Sequence, residues 1–135
     1  MKSIKQEDSL GCAIACVASV LKIEYKDAIR LFINGKKRAK EIPNFYCREI
    51  VMILNNAGLN YQYKYIKPEI RNKIYQQNSI VFIKRSKKYS YGHYLVRFKN
   101  KWVDSWINFP NESIKAGFRK RLPGKALYVI CNFKQ

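Results

Sequence analysis

At 135 residues and 47% apolar composition, the chain is long enough and hydrophobic enough to bury one core, which excludes a disordered segment. Its formal net charge is +18, from 27 Lys and Arg against 9 Asp and Glu, so its surface field attracts polyanions, acidic proteins and anionic membranes and repels basic partners. The imbalance is uneven: residues 1–50 hold ten basic and six acidic side chains, and residues 51–135 hold seventeen and three.

The polar start, Met1 to Leu10, has no signal-peptide pattern. The expected location is the cytosol, or a target cell into which a secretion system delivers the chain. Residues 11–22, GCAIACVASVLK, are apolar on every side, the mark of a buried helix, with Ser9 or Asp8 placed to cap it. A second helix is expected from Tyr25 to Ile33, with Ala28, Ile29, Phe32 and Ile33 on one stripe. The following run, NGKKRAK, reads as an exposed turn or loop. A third helix spans Phe45 to Asn56 and stops at Gly58. Residues 67–76 suggest a short helix with Pro68 in its first turn.

From there the pattern turns to strands. SIVFIKR at 79–85 is β-branched and aromatic. HYLVRF and KWVDSW, joined by a tight turn near Asn100, read as a hairpin, and a last strand is expected from Ala126 to Cys131. Helices followed by an antiparallel sheet give an α+β fold, in one domain covering residues 1–135. No segment approaches the ~20 apolar residues that a membrane-spanning helix needs.

Four residues stand out chemically. Cys12 opens the first helix, where free N–H groups and the helix dipole favour a thiolate, the attacking species in nucleophilic catalysis. His93 is the single histidine and opens a strand after Gly92; an imidazole is the natural base for a thiol at neutral pH. Asp104 lies eleven residues on, where hairpin pairing lets a carboxylate orient that imidazole. Gln6, six residues before Cys12, offers a side-chain amide to a developing oxyanion. Cys16, one turn into an apolar helix, reads as core packing, as do Cys47 and Cys131. The cysteine spacings give no paired zinc-knuckle pattern and no disulfide scaffold, so no metal or other cofactor is expected.

The stretch Gln6…Cys12-Ala13-Ile14-Ala15-Cys16-Val17-Ala18 resembles the active-site motif of the bacteriocin-processing peptidases, papain-like enzymes that cut after a double glycine. Gly92-His93-Tyr94-Leu95-Val96 and Trp102-Val103-Asp104 resemble its downstream part. Ala13 stands where that family usually has Gly, and Ser105 where it often has Pro. The resemblance implies a papain-like α+β fold and a cysteine endopeptidase with Cys12, His93, Asp104 and Gln6 as its catalytic residues. It also implies small residues on the acyl side of the cut, in a tight cleft walled by aromatics such as Trp102, Trp106 or Tyr91.

The family's enzymes are usually fused to a transporter. A basic chain without one suggests an interbacterial toxin or effector domain, acting on protein substrates and held in check by an acidic immunity or inhibitor protein. Two other readings compete: a papain-like acyltransferase or deamidase, and a basic nucleic-acid-binding module. The second would use stretches such as Lys87-Lys88-Tyr89-Ser90-Tyr91, where cations and stackable rings alternate.

Overall fold

A computed structural model describes residues 2–41 and 45–134. Helix α1 (Cys12–Leu21) forms where the sequence is apolar all round, and every residue from Ala13 to Val20 is buried. Neither Ser9 nor Asp8 caps it. The cap position is Gly11, without a side-chain cap hydrogen bond, and the Asp8 carboxylate instead accepts from the Tyr25 hydroxyl at 3.0 Å. A Cβ on Gly11 would run into that same hydroxyl, so the backbone enters α1 in close contact with Tyr25.

The second expected helix is shorter than the stripe suggests. Helix α2 covers Tyr25–Ala28 and decays into a 3-10 turn over Ile29–Leu31. The NGKKRAK run is a helix and not a loop: α3 spans Gly35–Glu41. Its buried stripe consists of Gly35 and Ala39 alone, two small residues one turn apart, so no hydrophobic periodicity announces it. Helix α4 (Cys47–Asn56) ends in a Schellman motif, with Leu59 N–H bonded to Leu54 C=O and Gly58 N–H to Asn55 C=O, and Gly58 at φ +96°. Pro68–Tyr75 forms a 3-10 helix with Pro68 at its start.

Six described strands make one antiparallel sheet in the order β1-β6-β2-β3-β4-β5. They are β1 (Gln62–Tyr65), β2 (Ile80–Ile83), β3 (His93–Phe98), β4 (Lys101–Asp104), β5 (Gly117–Arg119) and β6 (Ala126–Cys131). The hairpin and the last strand lie where the sequence puts them. Of the two edge strands, β5 is too short for an alternation to be read, while β1 lies in the alternating run Tyr61-Gln62-Tyr63-Lys64-Tyr65, which the sequence reading missed, and all of β1 is exposed.

The register sorts the sheet's helix-facing side into two rows. Ile130, Ile80, Val96 and Val103 stand side by side across four strands and belong to the cluster that holds the buried side of α1. One step along runs an aromatic row, Tyr65, Tyr128, Phe82 and Tyr94, again on four adjacent strands. The opposite side of the sheet buries Val81, Ile83, Leu95, Trp102 and Val129 with Ile74 of the 3-10 helix. Among the described residues, no helix is long and apolar enough to cross a membrane.

Candidate active site

Three element ends meet. Cys12 is the first residue of α1, His93 the first of β3 and Asp104 the last of β4. The hairpin register pairs Val96 with Val103, so Leu95 comes opposite Asp104, and His93 becomes the diagonal neighbour of Asp104 on one sheet side. The imidazole Nε2 lies 2.7 Å from the Asp104 Oδ1. With that nitrogen engaged, Nδ1 is left for the thiol, and Cys12 is near enough for its charge to act on the ring. Cys12 is partly exposed, whereas His93 and Asp104 are buried.

Gly92 makes the approach to His93 possible. It sits at φ +74°, a conformation that L side chains avoid, and a Cβ there would lie 2.9 Å from the Ile83 carbonyl oxygen and press into the Phe82 ring. A fourth residue joins the group that sequence reading missed. Arg119, on edge strand β5, donates from Nε to the Asp104 Oδ2 at 2.6 Å and from Nη2 to the Ile107 carbonyl at 3.2 Å. The Trp106 backbone N–H adds 2.9 Å to Oδ1, so the fully buried carboxylate is served on both oxygens. One arginine among 27 basic residues on an unreadable edge strand gives no signal in the sequence.

The electrostatics follow from these contacts. Burial alone would pull His93 down. The Cys12 charge and the Asp104 hydrogen bond outweigh it, and the imidazole is pushed up to about 9. Burial would raise Asp104, but the His93 hydrogen bond, the imidazolium charge and Arg119 hold it at about 2. Cys16 is fully enclosed, and burial pushes its thiol well above the ordinary range, as its core-packing reading requires. Burial likewise raises Cys47 and Cys131.

Gln6 reaches the site in a different role from the one expected. Its Nε2 donates to the Asp8 carbonyl at 2.9 Å and the Ser9 carbonyl at 3.1 Å, and its Oε1 accepts from the Ser105 hydroxyl at 2.7 Å. Both amide hydrogens are therefore spent, and Gln6 braces the segment that enters α1. Its backbone N–H also bonds to the Ser105 carbonyl, tying that segment to the residue after Asp104. The first turn of α1 is uncapped by any side chain, so its N–H groups are left as donors beside Cys12.

Cys12, His93 and Gln6 open onto a cavity of about 350 Å³, at the small end of the range for ligand pockets. Its lining includes the aromatic row at Tyr128, Phe82 and Tyr94, of which Phe82 and Tyr128 are half-buried and Tyr94 is buried with its hydroxyl bonded to the Phe45 carbonyl. Of the three expected wall residues, Trp106 and Tyr91 line this cavity, but Trp102 is buried in the cluster on the other side of the sheet. Strand alternation puts Trp102 there, because its neighbour Val103 takes the helix-facing side, and Arg97 and Tyr75 pack against its ring. Tyr89, expected as a stacking platform for bases, is only 3% exposed and stacks instead on His93 at 5.1 Å and on Phe109 at 4.9 Å.

Among the described residues, no three His, Cys, Asp or Glu side chains gather as metal ligands would. No protein-family model matches the chain, and no curated protein sequence matches it.

Proposed function

We propose that this chain is a papain-like cysteine peptidase with Cys12 as nucleophile and His93 as its base. One observation carries the reading: a partly exposed thiol at a helix start, a buried imidazole and a buried carboxylate converge at the mouth of a cavity. The Gln6, Cys12, His93, Asp104 order and its likeness to the double-glycine-cleaving peptidases support it further.

The chemistry follows from the arrangement. His93 holds the proton lost by Cys12, and the thiolate attacks a peptide carbonyl carbon. The tetrahedral oxyanion faces the N–H groups of the first turn of α1, which Gln6 steadies from behind. Collapse of that intermediate expels the amine, which takes its proton from the imidazolium. Water, deprotonated by His93, then hydrolyses the thioester. Asp104 keeps the ring in the tautomer that serves Cys12 and stabilises its cation throughout.

In this reading the substrates are proteins or peptides, cut after a double glycine or another small-residue motif. The chain acts as a toxin or effector domain in the cytosol or in a cell that receives it, restrained by an acidic immunity or inhibitor protein. An amine in place of water at the thioester step would make the same site an acyltransferase, and attack on a side-chain amide would make it a deamidase.

The test is expression of the wild-type chain and its Cys12→Ala variant in a bacterial cytosol, followed by N-terminal proteomics. New protein N-termini that appear only with Cys12 present are the expected result, and the residues before each cut define the specificity. Identical N-terminal profiles, together with no selective alkylation of Cys12 in the purified protein, would remove the catalytic reading.

A further inference from the structure

The loop between α2 and α3 displays its apolar residues in an unusual way. In Leu31-Phe32-Ile33 only the middle ring turns inward: Phe32 is 4% exposed and packs edge-on against Phe45 at 5.3 Å. Leu31 is 46% exposed and Ile33 73% exposed. Neither belongs to either of the two apolar clusters.

Hydrogen bonds hold the backbone of this display. Phe32 N–H bonds to the Ile29 carbonyl and Gly35 N–H to the Phe32 carbonyl. Arg38 donates to the Ile33 carbonyl at 2.8 Å while its guanidinium forks onto Glu49 and lies 4.4 Å over the Phe45 ring. A Cβ on Gly35 would collide with the Ile29 carbonyl, so the turn folds back tightly. An exposed Ile on such a pinned tip loses little further conformational freedom when it inserts into another phase.

Cations flank this tip in the chain, Arg30 before it and Lys36, Lys37 and Lys40 after it. Arg30, Lys36, Lys37 and Lys40 are all exposed and line one open depression beside it, together with Lys26. Glu7 and Asp8 lie across the same depression. Asp8 is engaged by Tyr25, and Lys26 has Glu24 at 3.5 Å. Arg30, Lys36, Lys37 and Lys40 have no ion-pair partner among the described residues.

We infer that the α2–α3 tip is a docking surface for an anionic lipid bilayer, with Leu31 and Ile33 entering the interface and Arg30, Lys36, Lys37 and Lys40 meeting the headgroup phosphates. Exposed aliphatic side chains flanked by basic residues have the chemistry of interfacial membrane binding, in which apolar burial and attraction to acidic lipids add. A nucleic acid would use the cations but gains nothing from two exposed aliphatic side chains, since it offers phosphates and ring faces. The surface is independent of Cys12 and of the peptidase reading.

The test is co-flotation of the purified chain with vesicles of phosphatidylcholine alone, or of phosphatidylcholine with about 30% phosphatidylglycerol. The expected result is binding to the acidic vesicles only. Ile33→Asp combined with Leu31→Asp, and separately Lys36→Glu combined with Lys37→Glu, should each weaken it about tenfold or more. The pair Lys120→Glu and Arg121→Glu removes the same net charge beyond β5 and should leave most of the binding. Equal loss in that control would overturn the inference in favour of net charge alone. Wild-type flotation by the Asp variant would overturn it too. Loss of single-stranded DNA binding in the Lys36→Glu and Lys37→Glu variant, with vesicle binding intact, would reassign the patch to nucleic acid. All four substituted patch residues are exposed, so circular dichroism should show each variant folded.

Discussion

His93 carries the largest consequence of any single side chain. Its imidazolium is stabilised on folding, at about 9 against an ordinary 6.5. The stability it contributes is therefore complete below pH 6.5 and is lost as the pH rises through about 9. Asp104 has the opposite sense. Held at about 2 against 3.8, it contributes stability above pH 3.8 that disappears as the pH falls toward 2. Urea unfolding of the wild type and of His93→Gln should diverge most below about pH 6.5 and converge as the pH rises through about 9; parallel curves would show that His93 is not held as a cation. Arg119 offers a second test. Changing it to Gln leaves a buried carboxylate short of a charged donor, at a cost of about 1–3 kcal/mol at neutral pH, and Lys should recover part of it. A Gln variant as stable as the wild type would mean that the Arg119–Asp104 contact is not formed in solution.

At the scale of elements, the site depends on where helices and strands stop. Cys12, His93 and Asp104 are terminal residues of α1, β3 and β4, and a shift of any end by one position would turn its side chain away. Gly92 sets one of these ends. Its Gly92→Ala variant combines a disfavoured φ with contact against the Ile83 carbonyl and the Phe82 ring, so it should lose about 1–3 kcal/mol by denaturant melt and also slow Cys12 alkylation. Unchanged stability would mean that the loop before β3 moves freely. A normal alkylation rate in a destabilised variant would mean that the β3 start tolerates the shift.

The whole molecule is a sheet with a different apolar cluster on each side, and the helix side holds α1. Ile14, fully buried one turn before the middle of α1, is close-packed there. Ile14→Ala should cost about 2–5 kcal/mol, since the surrounding helices and sheet can close only part of the space left behind. A cost below 1 kcal/mol in a urea melt would show that α1 is looser against the sheet than its burial implies. The same packing separates the two surfaces discussed above. The segment from Gln6 to Gly11 runs between the cavity at Cys12 and the basic depression at α3, anchored by the Gln6 bonds on one side and by Leu10 N–H to the Ala39 carbonyl on the other.

The sequence by itself determined the α+β order, the buried first helix, the hairpin and the last strand, because each carries its own hydrophobic period or turn residue. It also singled out Cys12, His93 and Asp104, since chain order and helix or strand ends are local features. Only the tertiary structure decided the rest. Helix α3 forms on two small residues because neighbouring helices leave just that much room. The three-residue edge strand β5 forms because β4 offers it free backbone partners, which no side-chain pattern of that length encodes. Arg119 meets Asp104 across neighbouring strands, Gln6 turns its amide N–H groups back to Asp8 and Ser9 while its carbonyl accepts from the distant Ser105, and Tyr89 stacks on His93. Which partner such a polar or aromatic side chain finds is a property of the space around it, and that space exists only after the chain has folded.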